Sequence, residues 1–192
     1  TGPIEEMAET AYFSDAQKNY APYIASVPQP DNALGLVMRL PDGRFIIFDG
    51  GHKGDDRVYN TLRELVPSGR ITIAAWFISH PHGDHQDAFE EFIEKHGSDD
   101  TVKVERVIFN YAKASMYTYQ RKDGQREDCA GLVDSIYRKC AEYIPDAKVI
   151  KAHTGQIFSF GECKVEVLFT VEDFLPAECF DYVNGTSIVI RV

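Results

Sequence analysis

The chain has 192 residues, 44% of them apolar and 26% charged, with a formal net charge of −10. That length suits one domain or slightly more, and such a chain buries roughly 70% of its unfolded surface without needing a staple. The acidic balance excludes a nucleic-acid-binding surface as the main feature, since phosphate contacts want Lys and Arg; phosphate chemistry at a metal centre stays open, because there the ion brings the positive charge.

No apolar run approaches the ~18 residues of a membrane span. The opening TGPIEEMAETAYF has neither the basic start nor the apolar stretch of a signal peptide, which leaves cytoplasmic and exported locations both open. Residues 1–30 read as an N-terminal extension packing on a domain that runs over 31–192. The segment NALGLVMRLPDGRFIIFDGG predicts a β-hairpin, two apolar runs around the turn signal Pro41-Asp42-Gly43, with the second run stopping at Asp49-Gly50-Gly51. DDRVYNTLRELVPSG follows as an amphipathic helix with Val58, Leu62, Leu65 and Val66 on one face and Pro67 and Gly69 at its end. ITIAAWFIS is apolar almost throughout, as in a strand covered on both faces.

QDAFEEFIEKHG predicts a second helix, with Ala88, Phe89, Phe92 and Ile93 inward and Gly97 past its end. VKVERVIFN is a further strand, and YAKASMYTYQRKDGQ has no clean period and reads as a loop. In that loop Tyr111, Lys113, Tyr117, Tyr119, Arg121 and Lys122 interleave aromatics with cations. Such a patch can stack on bases or hold phosphates; its simpler reading is an exposed loop with tyrosines packed on the core. REDCAGLVDSIYRKCAEYIP is helical, with a stripe from Leu132 to Ile144, and AKVIKA, QIFSF, CKVEVLFT and TSIVIRV read as strands. Strands alternating with helices predict an α/β (α+β) fold, made mixed in its sheet by the strand-rich last third. The cysteines, Cys129, Cys140, Cys163 and Cys179, include no C-x-x-C pair and read as free thiols.

Chemistry concentrates in FISHPHGDHQDAF, where His80, His82, Asp84 and His85 form His-x-His-x-Asp-His. Pro81 favours an extended His80, and residues two apart in an extended segment point the same way, so His80 and His82 can converge on one ion. A helix would splay them, which assigns the motif to a strand end or loop. Gly83 allows a turn that brings Asp84 and His85 to a neighbouring position, a layout for two metals. Imidazole with carboxylate favours zinc, one or two ions, with manganese, iron or nickel as alternatives. A solvated turn in which Asp84 caps the next helix is the plain alternative, and four ligand-type residues in six positions speak against it. A His-x-His at a strand end also occurs in amidohydrolase barrels, but eight strand–helix units need about 250 residues. His153 and His52 are further histidines within reach of strand ends, and His96 reads as structural at a helix C-terminus.

Asp49-Gly50-Gly51 after a hairpin, then a helix, a buried strand and His-x-His-x-Asp-His, resembles the metallo-β-lactamase superfamily from about Asn32 onward. The resemblance implies an αββα sandwich with His80 and His82 on a first metal, Asp84 and His85 on a second, and Asp49 supporting the site from behind. Flavo-di-iron relatives have an acidic residue where this chain has His82, which favours a hydrolytic site. VEVLFTVEDFLP lacks the Pro-Gly-His of lactamases and thioesterase-like members, while NGTSIVIRV is similar to the Asn-x-x-Ser strand of the DNA-uptake competence branch. In that branch a Leu-x-Gly-Asp-type segment and a His-His-Gly follow. The expectation is therefore an N-terminal half to two-thirds of the fold, whose site is completed downstream or by another chain.

The function implied is metal-dependent hydrolysis, metal-activated water attacking an ester such as a phosphodiester or a similar anionic small molecule, with Asp84 as the catalytic carboxylate. The other class is an incomplete or degenerate module that binds metal or a partner without turnover. A strand edge left open at TSIVIRV predicts self-association.

Overall fold

A computed structural model describes residues 23–29, 33–54, 56–120, 124, 126–171 and 183–192. Arg121, Lys122, Cys179 and residues 1–22 of the expected extension lie outside them. β1 (Tyr23–Ser26), β2 (Gly35–Arg39) and β3 (Phe45–Asp49) form an antiparallel meander. The hairpin turns where Pro41-Asp42-Gly43 signalled it, with Gly43 at φ 86 and Leu40 N–H donating to the Arg44 carbonyl at 2.8 Å. Residues 23–26 thus join the main sheet.

From β3 the chain runs through α1 (Arg57–Leu65), β4 (Ile71–Phe77), α2 (Gly83–His96), β5 (Val102–Val104) and β6 (Arg106–Phe109). A 3-10 turn (Ala114–Tyr117), the two-stranded ribbon β7 (Thr118–Gln120) and β8 (Arg126–Asp128), α3 (Ala130–Tyr143) and β9 (Lys148–Lys151) follow. β3, β4, β6 and β9 are parallel neighbours in one sheet of order β1-β2-β3-β4-β6-β9, with β5 beside the start of β4. Each parallel step moves the same way across the sheet. Right-handed crossovers therefore put α1, α2 and α3 on one face.

That face holds the larger core. Val58 and Leu62 of α1, Phe89, Phe92 and Ile93 of α2, and Val133, Ile136 and Cys140 of α3 pack on Phe45, Ile47, Ile73, Trp76 and Val107. The opposite face, with Met38, Ile46, Ala75, Phe77 and Ile108, packs on a second sheet, β10 (Ile157–Phe160), β11 (Cys163–Phe169) and β12 (Val189–Arg191). Helices, mixed sheet and second sheet are the layers the sequence implied.

Three local differences have physical causes. The ladder between β3 and β4 shifts by one residue, Phe45 opposite Ile73 but Ile46 opposite Ala75. The extra residue, Ala74, turns Trp76 and Ile78 to the helix side and Phe77 to the sheet side. The single strand expected over VKVERVIFN is two, because Glu105 leaves the ladder between β5 and β6; its amide donates to the Ile73 carbonyl at 2.8 Å. The loop expected after Tyr111 carries the 3-10 turn and the ribbon instead, and REDCAGLVDSIYRKCAEYIP starts in β8 before turning helical at Ala130. Tyr111 and Tyr117 are buried and Lys113 is exposed, so those two tyrosines pack on the core.

Candidate metal centre

Parallel strands bring the ends of β3 and β4 to one edge of the sheet, where loops carry chemistry. Asp49 closes β3 at φ 54, a left-handed conformation uncommon outside glycine, and is 2% exposed. Gly51 follows at φ 86, and a Cβ there would sit 2.1 Å from Gln29 Oε1. At Gly50 a Cβ would come within 3.2 Å of the Ala88 Cβ on α2. These glycines let the β3 exit lie directly against the helix that carries the motif, with Ala88 N–H bonded to the Gly51 carbonyl at 3.0 Å.

Beyond β4 the chain turns sharply at Pro81, His82 N–H meeting the His80 carbonyl at 3.0 Å. The predicted plain extension of His80–Pro81–His82 is thus a tight turn, yet the two rings still converge, His80 Nε2 lying 3.1 Å from His82 Nδ1. His82 is the N-cap of α2 with φ −104 and ψ 149. Asp84 and His85 sit in the first helical turn rather than in a loop, and the N-cap position falls to His82 instead of Asp84. His85 Nε2 lies 3.6 Å from Asp84 Oδ2.

Asp49 orients this group. Its Oδ1 accepts the Ser79 backbone N–H at 2.7 Å, and its Oδ2 accepts the Ser79 hydroxyl and His85 Nδ1, both at 2.8 Å. A carboxylate on Nδ1 leaves Nε2 of His85 as the nitrogen facing Asp84, the arrangement that typically prepares an imidazole for a metal. Ser79 Oγ also lies 2.9 Å from His80 Nδ1, which makes it a hub under both rings. Trp76 steadies the same corner, donating its indole N–H to the Asp49 carbonyl at 2.7 Å.

Burial, then the neighbouring His85 and His82, pushes the His80 imidazole down to about 3, against a weaker opposing hydrogen bond between the ring and the Asn184 side chain. His80 is therefore neutral at physiological pH, the form a metal needs. Burial acts downward on His85 as well, but the Asp49 hydrogen bond and charge, with Asp84, outweigh it and the net direction is up.

Among the described residues no group of three or more His, Cys, Asp or Glu side chains gathers at one point. The four motif residues instead form two donor pairs. Ligands of one tetrahedral zinc, ~2.0–2.1 Å from it, lie about 3.3 Å apart, so a separation of 3.1 Å suits His80 and His82 as neighbours on one ion. Nitrogen and carboxylate donors at the second pair fit the same class of metal.

The other histidines divide. His96 stacks on Tyr59 at 3.7 Å and bonds Asp56 at 2.8 Å, joining the end of α2 to the start of α1 as a structural clasp. His153 donates its backbone N–H to Gln156 Oε1 in the turn after β9. Ser79 and Ser187 are contacts of the motif that carry no ligand signature in the sequence; only the Asn-x-x-Ser pattern hinted at the second.

Neither a protein-family model nor a curated protein sequence matches the chain. Among solved structures it is similar to a Cronobacter sakazakii metallo-beta-lactamase with a HARLDQ motif, at 18% identity over 78% of this chain and 52% of that one, TM-score 0.45. It is also similar to MEM-A1, a subclass B3 metallo-beta-lactamase from a soil metagenome library, at 15% identity over 77% and 49%, TM-score 0.47. A third is the metallo-beta-lactamase fold protein YhfI of Bacillus subtilis, at 14% identity over 77% and 52%, TM-score 0.46. The chain spans about half the length of these proteins, and at such identities the likeness concerns the fold alone.

Proposed function

We propose that this chain is the metal-binding part of a metal-dependent hydrolase, acting on an ester and, among esters, on a phosphodiester or similar anionic substrate. The observation that carries the reading is the convergence of His80 Nε2 on His82 Nδ1, with a second pair, Asp84 and His85, on the next turn. His80 and His82 would hold one zinc, Asp84 and His85 a second. A bound divalent ion lowers the pKa of its water to near 7 and polarises the scissile oxygen.

The chain's own residues supply the rest. Asp84, with its side chain 39% exposed, reaches solvent and can accept the proton of an attacking water and return it to the leaving group. Asp49 keeps His85 Nδ1 engaged and so keeps the ring from turning. An anionic substrate is favoured by the N-terminus of α2, whose positive dipole end lies at this edge.

A module that binds metal or a partner without turnover is the second reading, favoured by the two donors per pair among the described residues, since catalytic zinc usually has three protein ligands. Zinc titration followed by assay on bis(p-nitrophenyl) phosphate separates the two. The enzyme reading expects metal-dependent turnover that His82→Ala or Asp84→Ala abolishes; either variant keeping most of the activity contradicts the assignment. Stoichiometric zinc with no turnover on any ester supports the module. Self-association through the open strand edge at β12 is part of the same proposal.

A further inference from the structure

Ser187 reaches the metal motif across 107 positions of sequence, its Oγ lying 3.0 Å from His80 Nδ1. It is firmly placed. Ile188 N–H bonds the Ser79 carbonyl at 3.0 Å, tying this segment to the exit of β4. Just upstream, Val183 and Thr186 are buried, and the Thr186 hydroxyl donates to the Val183 carbonyl at 2.7 Å.

The Asn184 side chain also hydrogen-bonds the His80 ring, and its amide can present an oxygen or an NH2, so it fits either tautomer; the partners of Nδ1 are more restrictive. Ser187 Oγ lies 2.7 Å from the Asn184 carbonyl oxygen, which only accepts, so the Ser187 proton goes there and the hydroxyl turns its lone pairs to His80. Ser79 repeats the arrangement with Asp49 Oδ2 at 2.8 Å, and a carboxylate is the stronger acceptor of its proton. Two hydroxyl oxygens, both with their protons committed elsewhere, thus face one ring nitrogen. A bare Nδ1 would leave three lone pairs opposed in a buried site; a proton on Nδ1 satisfies both oxygens. In a neutral ring the bare nitrogen is then Nε2, the atom 3.1 Å from His82 Nδ1.

We propose that Ser187, together with Ser79, is a positioning residue that locks His80 as its Nδ1–H tautomer and aims the bare Nε2 at His82 as a preformed donor edge. Use of that edge for a metal rests on the function proposed above; the tautomer does not. Both polar residues of the Asn-x-x-Ser pattern meet His80: the Ser187 hydroxyl lies at Nδ1 and the Asn184 side chain hydrogen-bonds the ring.

Long-range proton–nitrogen NMR on the histidine-labelled chain at neutral pH reads the tautomer directly, and zinc titration reads the consequence. Wild type should show His80 with a protonated Nδ1 and a bare Nε2. Ser187→Ala should mix the tautomers and weaken zinc binding by about tenfold or more, as loss of a hydrogen-bond partner behind a ligand histidine does, while Ser187→Thr restores both. A protonated Nε2 at His80 in wild type overturns the proposal, even if the variants fail to fold. Ser187→Ala with tautomer and affinity unchanged overturns it too. Wild type with the expected tautomer but no zinc uptake supports this proposal while removing the hydrolase reading.

Discussion

Asp49 shows how much one residue carries here. Its left-handed backbone at φ 54 turns the chain out of β3, and its two carboxylate oxygens hold Ser79 and His85. Strain of this kind costs on the order of 1–3 kcal/mol and persists where its surroundings dictate it. Those surroundings are Gly50 and Gly51: a Cβ at the first would crowd α2 at 3.2 Å, and one at the second would need Gln29 to move away. Burial has a different result at Cys140, 2% exposed on α3, whose thiol it pushes up to about 12, helped by the charge of Glu90. At pH 8 almost no thiolate forms there. Iodoacetamide should therefore leave Cys140 unmodified in the native protein and label Cys163, which is only partly buried, ahead of it. Peptide mass spectrometry checks the order, and rapid native labelling of Cys140 would contradict this packing.

At the scale of elements, α2 is fixed by its contacts with α3. Gln86, fully buried one residue past the motif, receives the Tyr111 hydroxyl on Oε1 and donates to Glu90 and to the Leu132 carbonyl. Glu90 in turn pairs with Lys139 at 2.6 Å, which also reaches Glu94. The net direction of the Lys139 pKa is up: burial alone would lower it, and the two glutamates prevail. Lys139→Met should cost about 3–5 kcal/mol in urea unfolding, because it strands the Glu90 charge in a site where its side chain is 8% exposed. Adding Glu90→Gln removes that charge and should recover much of the loss, the amide still meeting Gln86. Additive losses would mean the two groups do not interact. The four inward residues of α2 are legible as a stripe in QDAFEEFIEKHG. Its true start at Gly83 is not, because the first turn carries polar side chains where a period would show apolar ones.

For the molecule as a whole, three crossovers of one hand leave the second sheet to cover the other face, and among the described residues that cover is partial. A cleft of about 300 Å³ opens between the sheets, lined by Leu36, Met38, Phe48, Phe77, Ile188 and Ile190 and reaching Asp49 and Ser79 at one end. Ile24, Leu34 and Val192 on its rim stay 61%, 43% and 59% exposed, and among the described residues β12 is an edge strand of its sheet. Exposed apolar edges favour pairing with a second chain. Sedimentation velocity should show mass rising with concentration, and Val189→Lys on β12 should suppress it. A single monomeric species at high concentration would count against the strand edge as an interface.

The sequence by itself determined what is local: the hairpin around Pro41-Asp42-Gly43, the helical stripes, the apolar β4 and the four motif residues. Each rests on periodicity, turn chemistry or ligand spacing within a few residues. Tertiary structure alone decided what is distant: the bulge at Ala74 that sets the phase of β4, the split of β5 from β6, and the convergence of Asp49, Ser79 and Ser187 on the histidines. The bonds of Asp49 to Ser79 and His85, and of Ser187 to His80, join residues 30 to 107 positions apart, where chain pattern holds no record of which atoms meet. The packing of parallel strand ends brings them together.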